Sequence, residues 1–282
     1  MRKIKFLMAS LMLVLMSCNS EEVSAQSMET EGYNMLLIGN SFFRPYAEKL
    51  DDLSIIAGFE NHNSTIIFRG GQNGTPINFW NDSNTNEHLQ IKAALNAGNI
   101  DIFGMTAGYD PENLTEGHRA WINYALQHNP DIKIFIAIPQ IDFPADWQQR
   151  AEEYGFYNIV ELYDYFVNDL VHHEMVDQLR DEFPSTEIFT IPTGWTSVNL
   201  DLMNSNNELL DDISRFGPQP TSLFTDTKGH QGDIIRETGS LLWLSSIYNV
   251  DLSAFSYDTG FNTNLYEIAK QIMDNHNPNY KL

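Results

Sequence analysis

Ser41, Asp226 and His230 are the residues whose types and settings point to chemistry. A serine hydroxyl becomes a useful nucleophile only when an adjacent base takes its proton. An imidazole can be that base, and a carboxylate beside it holds the tautomer and stabilises the charged ring. Asp226 and His230 share one stretch, Phe224-Thr225-Asp226-Thr227-Lys228-Gly229-His230-Gln231-Gly232, so the pair can meet side by side on a loop. Ser41 lies at the other end of the chain, after Met35-Leu36-Leu37-Ile38-Gly39-Asn40. The competing reading of Ser41 is a plain helix N-cap, a position serine favours.

The flanking patterns say which elements must position these groups. Met35 to Ile38 are four consecutive apolar residues, the mark of a strand buried on both faces of a parallel sheet. A helical pattern follows almost at once, with Tyr46, Leu50, Leu53 and Ala57 on one face. Ser41 therefore belongs at the carboxyl edge of a sheet, where open α/β folds bind their ligands. Ser64–Phe68 is a second strand and runs into Arg69-Gly70-Gly71-Gln72-Asn73-Gly74. Glycines there permit positive φ and close backbone approach, so a Gly71 N–H and the Asn73 amide are candidate donors to a substrate oxygen. Further strands are expected at Ile100–Thr106, Ile132–Ile138 and Glu187–Ile191. Helices are expected at Glu87–Ala97 (apolar Leu89, Ala93 and Leu95), His118–His128 (Trp121, Ile122 and Ala125) and Asp233–Tyr248, with a helical region from about Trp147 to Phe183. Strands alternating with helices define an α/β fold, a parallel sheet covered on both faces.

The first residues stand apart. Arg2, Lys3 and Lys5 precede an apolar run, Phe6–Met16, too short for a stable membrane span. Leu15-Met16-Ser17-Cys18 then resembles a bacterial lipoprotein signal whose cysteine is lipidated; signal-peptidase cleavage near Ala25 is the alternative. Cys18 is the only cysteine of the chain, so no disulfide framework exists. The expected organisation is a signal peptide over 1–17, a flexible acidic tether over 18–31 and one catalytic domain over 32–282. Beyond the signal, 13 basic residues face 38 acidic ones, a net charge of −25. Such a charge repels nucleic acid and anionic lipid surfaces. The expected contact with a membrane is therefore the Cys18 anchor, with an outer-membrane, cell-surface or periplasmic location.

Taken together, Gly39-Asn40-Ser41 near the mature N-terminus, Gly70-Gly71 after the second strand, and Asp226 with His230 before the last large helix resemble the SGNH (GDSL-type) hydrolases. The resemblance implies a three-layer α/β/α sandwich on a five-stranded parallel sheet. It implies a serine esterase with Ser41 as nucleophile, His230 as base, Asp226 as its partner, and an oxyanion hole that includes the Ser41 and Gly71 N–H groups; Asn73, in the same glycine-rich loop, is the first choice for the side-chain donor. No metal or cofactor is implied. Exported members often remove acetyl groups from polysaccharides. A lipase or thioesterase acting on longer acyl chains, and a non-catalytic carbohydrate-binding lipoprotein, are the alternatives. Two departures stand out. Three residues separate Asp226 from His230 where the family has two, an excess that Gly229 can absorb in a bulged loop. Gly108-Tyr109-Asp110 replaces the family's Gly-x-Asn-Asp, so its Asn donor is missing, a loss of about 3 kcal/mol unless Asn73, Gln72 or Tyr109 substitutes.

Other features invite structural readings. His172-His173-Glu174 belongs to no tight metal motif and reads as a solvated helix face. His62, His88 and His276 carry no pattern. Trp80 and Trp195 follow expected strand ends and could line a cleft.

Overall fold

A computed structural model describes residues 31–108 and 114–282. The signal peptide, Cys18 and the tether up to residue 30 lie outside the described residues, as do Tyr109 and Asp110. Five parallel strands form the central sheet: β1 (Asn34–Gly39), β2 (Asn63–Phe68), β3 (Ile102–Thr106), β4 (Lys133–Ala137) and β5 (Ile188–Ile191). Their order is β2-β1-β3-β4-β5. This is a three-layer α/β/α sandwich, as the alternation of elements predicts. Residues 35–39 and every residue of β3 are buried, because these two strands have neighbours on both edges and helices on both faces.

The helices are α1 (Arg44–Ile56), α2 (Pro76–Asn81), α3 (Asn86–Asn96), α4 (Glu116–Leu126), α5 (Trp147–Glu153), α6 (Ile159–Tyr165), α7 (Asp177–Glu182), α8 (Trp195–Ser205), α9 (Asp233–Tyr248) and α10 (Leu265–Asn275). α9 packs against α1, α8 and α10, whereas α2 packs against α3 and α4. Most of α9 lies in the interior, and Ile234, Ile235, Leu241, Leu242, Leu244 and Ile247 are among its buried residues. Its Trp243 is fully buried, with its ring against Phe43, Tyr46 and Phe135 and its indole N–H donated to Thr193 Oγ1 at 2.8 Å.

Several expectations need correction. The helical region expected over 147–183 is built of four pieces, α5, α6, a π-helical stretch Phe166–Val176, and α7. The buried stripe of α3 is His88, Ile91 and Leu95; Leu89 is 56% exposed and Ala93 is also exposed. His172 is no part of a solvated face. It is fully buried, because its π-helical stretch lies against β5 and its Nε2 meets Thr190 Oγ1 at 3.0 Å. Two three-residue strands, β6 (Ser214–Phe216) and β7 (Ser222–Phe224), form a separate small ladder that delivers the chain to Asp226. No helix among the described residues is long and apolar enough to cross a membrane.

Candidate active site

The nucleophile candidate sits where β1 ends. The Asn40 carbonyl accepts the N–H of Phe43 (3.1 Å) and of Arg44 (3.0 Å), and its side-chain Oδ1 accepts the N–H of Phe42 (3.0 Å). These three bonds fold a tight turn with Ser41 on it. Phe43, not Ser41, occupies the cap position of α1 and makes no side-chain cap bond. The N-cap reading of Ser41 therefore fails, since its hydroxyl is engaged elsewhere.

That partner is His230. Ser41 Oγ lies 2.8 Å from His230 Nε2, and His230 Nδ1 lies 2.6 Å from Asp226 Oδ2. The structure thus brings together three residues that are 189 positions apart at their extremes. The loop carrying the pair is closed as a hairpin. Thr225 N–H donates to the His230 carbonyl (2.8 Å), Gly232 N–H to the Leu223 carbonyl (2.6 Å), and Phe224 bridges Gln231. The extra residue between acid and base is absorbed at Gly229, which adopts φ +101°. Its N–H and that of His230 both donate to Asp226 Oδ1, at 3.0 and 3.1 Å.

Burial pulls the Asp226 pKa upward, but the bonds from the His230 ring and from the His230 and Gly229 N–H groups win and hold it below the ordinary carboxylate value. Asp226 is therefore ionised wherever the imidazole works as a base.

A buried polar network stands behind the loop. Gln140, just after β4, donates to the Gly229 carbonyl at 2.5 Å and accepts from the Ser197 hydroxyl. Gln231 donates to the Phe42 carbonyl at 2.9 Å, tying the histidine loop to the nucleophile turn. The Tyr46 hydroxyl faces Gln231, Thr196 and Ser197, and burial raises its pKa to about 12, so it stays neutral. Phe42 lies flat against the His230 ring, centroids 4.8 Å apart at 7°. Sequence alone gives none of these residues a role at the site.

A side chain at Gly229 would be strained by its positive φ, and its Cβ would meet Pro144 Cδ at 2.7 Å and Gln140 Nε2 at 2.9 Å. Gly229→Ala is expected to cost about 1–3 kcal/mol in strain and to lower kcat at least tenfold by moving His230. Steady-state kinetics beside a thermal melt checks this, and an unchanged kcat would show that the loop tolerates the shift.

On the other side of Ser41, Gly71 opens a one-turn 3₁₀ helix, Gly71–Gly74, at φ +57°. Among the described residues no acceptor is hydrogen-bonded to the backbone N–H of Ser41 or of Gly71. Asn73 is exposed and lines neither cleft at the site, while Gln72 and Asn40 border one of them beside Gly71.

Two clefts flank the serine. The first, about 490 Å³, is lined by Ser41 and His230 and walled by Arg44, Glu48, Lys49, Asp52 and Arg236. The second, about 360 Å³, begins at Asn40, Phe42 and Gly71 and runs to Leu162, Phe166 and Leu170. Trp195 packs edge-on against Tyr163 and lines neither, and Trp80 lines a separate groove with Arg119 and Tyr124. Among the described residues no group of three or more His, Cys, Asp or Glu is placed to hold a metal ion.

No protein-family model matches the chain, and no curated protein matches it. Among solved structures the chain is similar to the periplasmic domain of a lipopolysaccharide acetyltransferase from Salmonella ser. Paratyphi A. The identity is 15%, over 77% of this chain and 83% of that one, with a TM-score of 0.43.

Proposed function

We propose that this chain is a serine esterase of the SGNH (GDSL-type) kind, acting through an acyl-enzyme. The observation that carries the reading is the series Ser41 Oγ, His230 Nε2, His230 Nδ1, Asp226 Oδ2, with hydrogen-bond contacts of 2.8 and 2.6 Å. His230 takes the Ser41 proton as Oγ attacks the ester carbonyl. The free N–H groups of Ser41 and Gly71 bind the oxyanion. The imidazolium then protonates the departing alcohol, and water, activated by the same base, releases the acid. Asp226 stays ionised and balances the transient charge on the ring. No metal or cofactor enters this scheme.

A fluorophosphonate probe tests it directly. The purified protein is expected to take one phosphonyl group, located on Ser41 by peptide mass spectrometry, and to hydrolyse aryl esters. Ser41→Ala is expected to do neither. If the folded wild type takes no probe and turns over no ester, the non-catalytic carbohydrate-binding reading wins; the absence of the Gly-x-Asn-Asp block is what favours it.

The same reading includes export and a lipid anchor on Cys18, motivated by a lone cysteine directly after a short apolar run. Expressed in a bacterium, the wild type is expected in the membrane fraction and Cys18→Ala in the soluble one. Equal partitioning of the two would remove the anchor.

A further inference from the structure

We propose that the second cleft holds the acyl group of the substrate, and that this group is an apolar body of medium length rather than acetyl. The proposal rests on the esterase reading, because Ser41 chemistry is what gives the two clefts different occupants. His230 returns its proton to the leaving alcohol, so the alcohol lies on the side of Ser41 that His230 lines, which is the first cleft. The oxyanion lies at the Gly71 N–H, and Gly71 opens the second cleft together with Asn40 and Phe42. A carbonyl held between these groups sends its acyl chain into the second cleft.

The walls match that assignment. Leu162 and Phe166 are buried, and Ile141 and Leu170 are partly so; they converge from the segment after β4, from α6 and from the π-helical stretch. The π-helical stretch supplies Phe166 and Leu170 to this wall. The charges of this cleft stand in a group. Lys228 Nζ lies 3.7 Å from Asp142, a carboxylate that Arg150 also attracts, and 3.8 Å from where a Cβ on Gly71 would be. Lys228 and Asp142 thus stand at the Gly71 side of the cleft, while Leu162, Phe166 and Leu170 line it farther in with the rings of Tyr154 and Tyr165. A volume of 360 Å³ equals the liquid share of about twelve water molecules. Acetyl would fill a small part of it and leave the apolar wall wet, whereas a longer alkyl chain would cover that wall. The first cleft is the reverse, with Arg44, Glu48, Lys49, Asp52 and Arg236 offering hydrogen bonds to a hydroxyl-rich alcohol. The substrate class is an ester of a medium-chain apolar acid with a polyhydroxy alcohol.

The test separates the cleft from the chemistry. Octanoate and acetate are titrated by calorimetry into Ser41→Ala protein, and p-nitrophenyl octanoate and acetate are compared as substrates of the wild type. Octanoate is expected to bind at least tenfold tighter than acetate, and the octanoate ester to be preferred at least tenfold in kcat/KM. Filling the cleft with Ile141→Trp, or from another wall with Leu170→Trp, is expected to lower both ratios at least tenfold, with melting curves identifying a variant that fails to fold. If octanoate binds no tighter than acetate, the proposal is overturned even where both esters are hydrolysed. If octanoate binds, the Trp variants abolish that binding, and Ser41 neither turns over ester nor takes phosphonate, the apolar cleft stands and the esterase reading falls.

Discussion

Asp226→Asn is expected to lower kcat by about 10³- to 10⁴-fold with KM changed no more than a few-fold, the scale of the equivalent carboxylate-to-amide change in a serine protease triad. The geometry dictates how. Asp226 Oδ1 already accepts two backbone N–H groups, from Gly229 and His230. An asparagine there keeps its carbonyl oxygen on those donors and turns its NH₂ toward His230 Nδ1. A donor facing Nδ1 forces the ring proton onto Nε2, which then offers Ser41 a hydrogen rather than a lone pair. The base is lost although every heavy atom stays in place. Partial exposure of the pair, 47% for the Asp226 side chain and 31% for His230, lets water compete and sets the lower end of the range. Steady-state kinetics with a melting curve as control measures the effect. A loss under tenfold would show that the imidazole needs no carboxylate and that the contact at 2.6 Å only supports the loop.

What could be read from the sequence follows from how local each signal is. β1 is legible because a strand buried on both faces must be apolar at consecutive positions, and Met35 to Ile38 are. The Asp226–His230 loop is legible because both chemical groups and the permissive Gly229 lie within five residues. The supporting shell is not. Gln140 and Gln231 are ordinary polar residues in sequence, and only the tertiary fold buries them between the serine turn and the histidine loop. Phe42 looked like one more apolar residue, yet its ring faces His230 because the Asn40-centred turn directs it there. His172 sat in a run that looked solvated, since nothing local shows that its helix will change to π-helical spacing and press against β5. β6 and β7, at three residues each, are too short to show a period of two.

Burial of His172 leads to the second large effect, on stability in acid. His118, His172 and His276 are buried, with pKa values pushed down from 6.5 to about 4, about 3 and about 4. Desolvation is the main cause for each. His172 also faces His276, His173 and Arg180, and its ring stacks on Tyr280 at 3.8 Å. His276 shares the Thr190 hydroxyl with it, and Lys281 depresses it further. The sign follows from proton counting. Between pH 6.5 and about 4 the unfolded chain binds protons at these three sites that the folded one refuses, so stability is complete above pH 6.5 and falls as pH falls. At pH 5 each site has lost about 2 kcal/mol, and three sites together are comparable with the lower end of the 5–15 kcal/mol that holds a typical domain folded. Asp142 and Asp201, with carboxyl pKa values raised by burial, and relief of the acidic self-repulsion pull the other way. Single variants isolate the histidine contribution. Urea unfolding at pH 7 and pH 5 is expected to show the wild type losing several kcal/mol, and His118→Gln or His172→Gln, whatever each costs at pH 7, losing about 2 kcal/mol less over the same interval. A pH dependence that neither substitution reduces would place the acid sensitivity in the carboxylates instead.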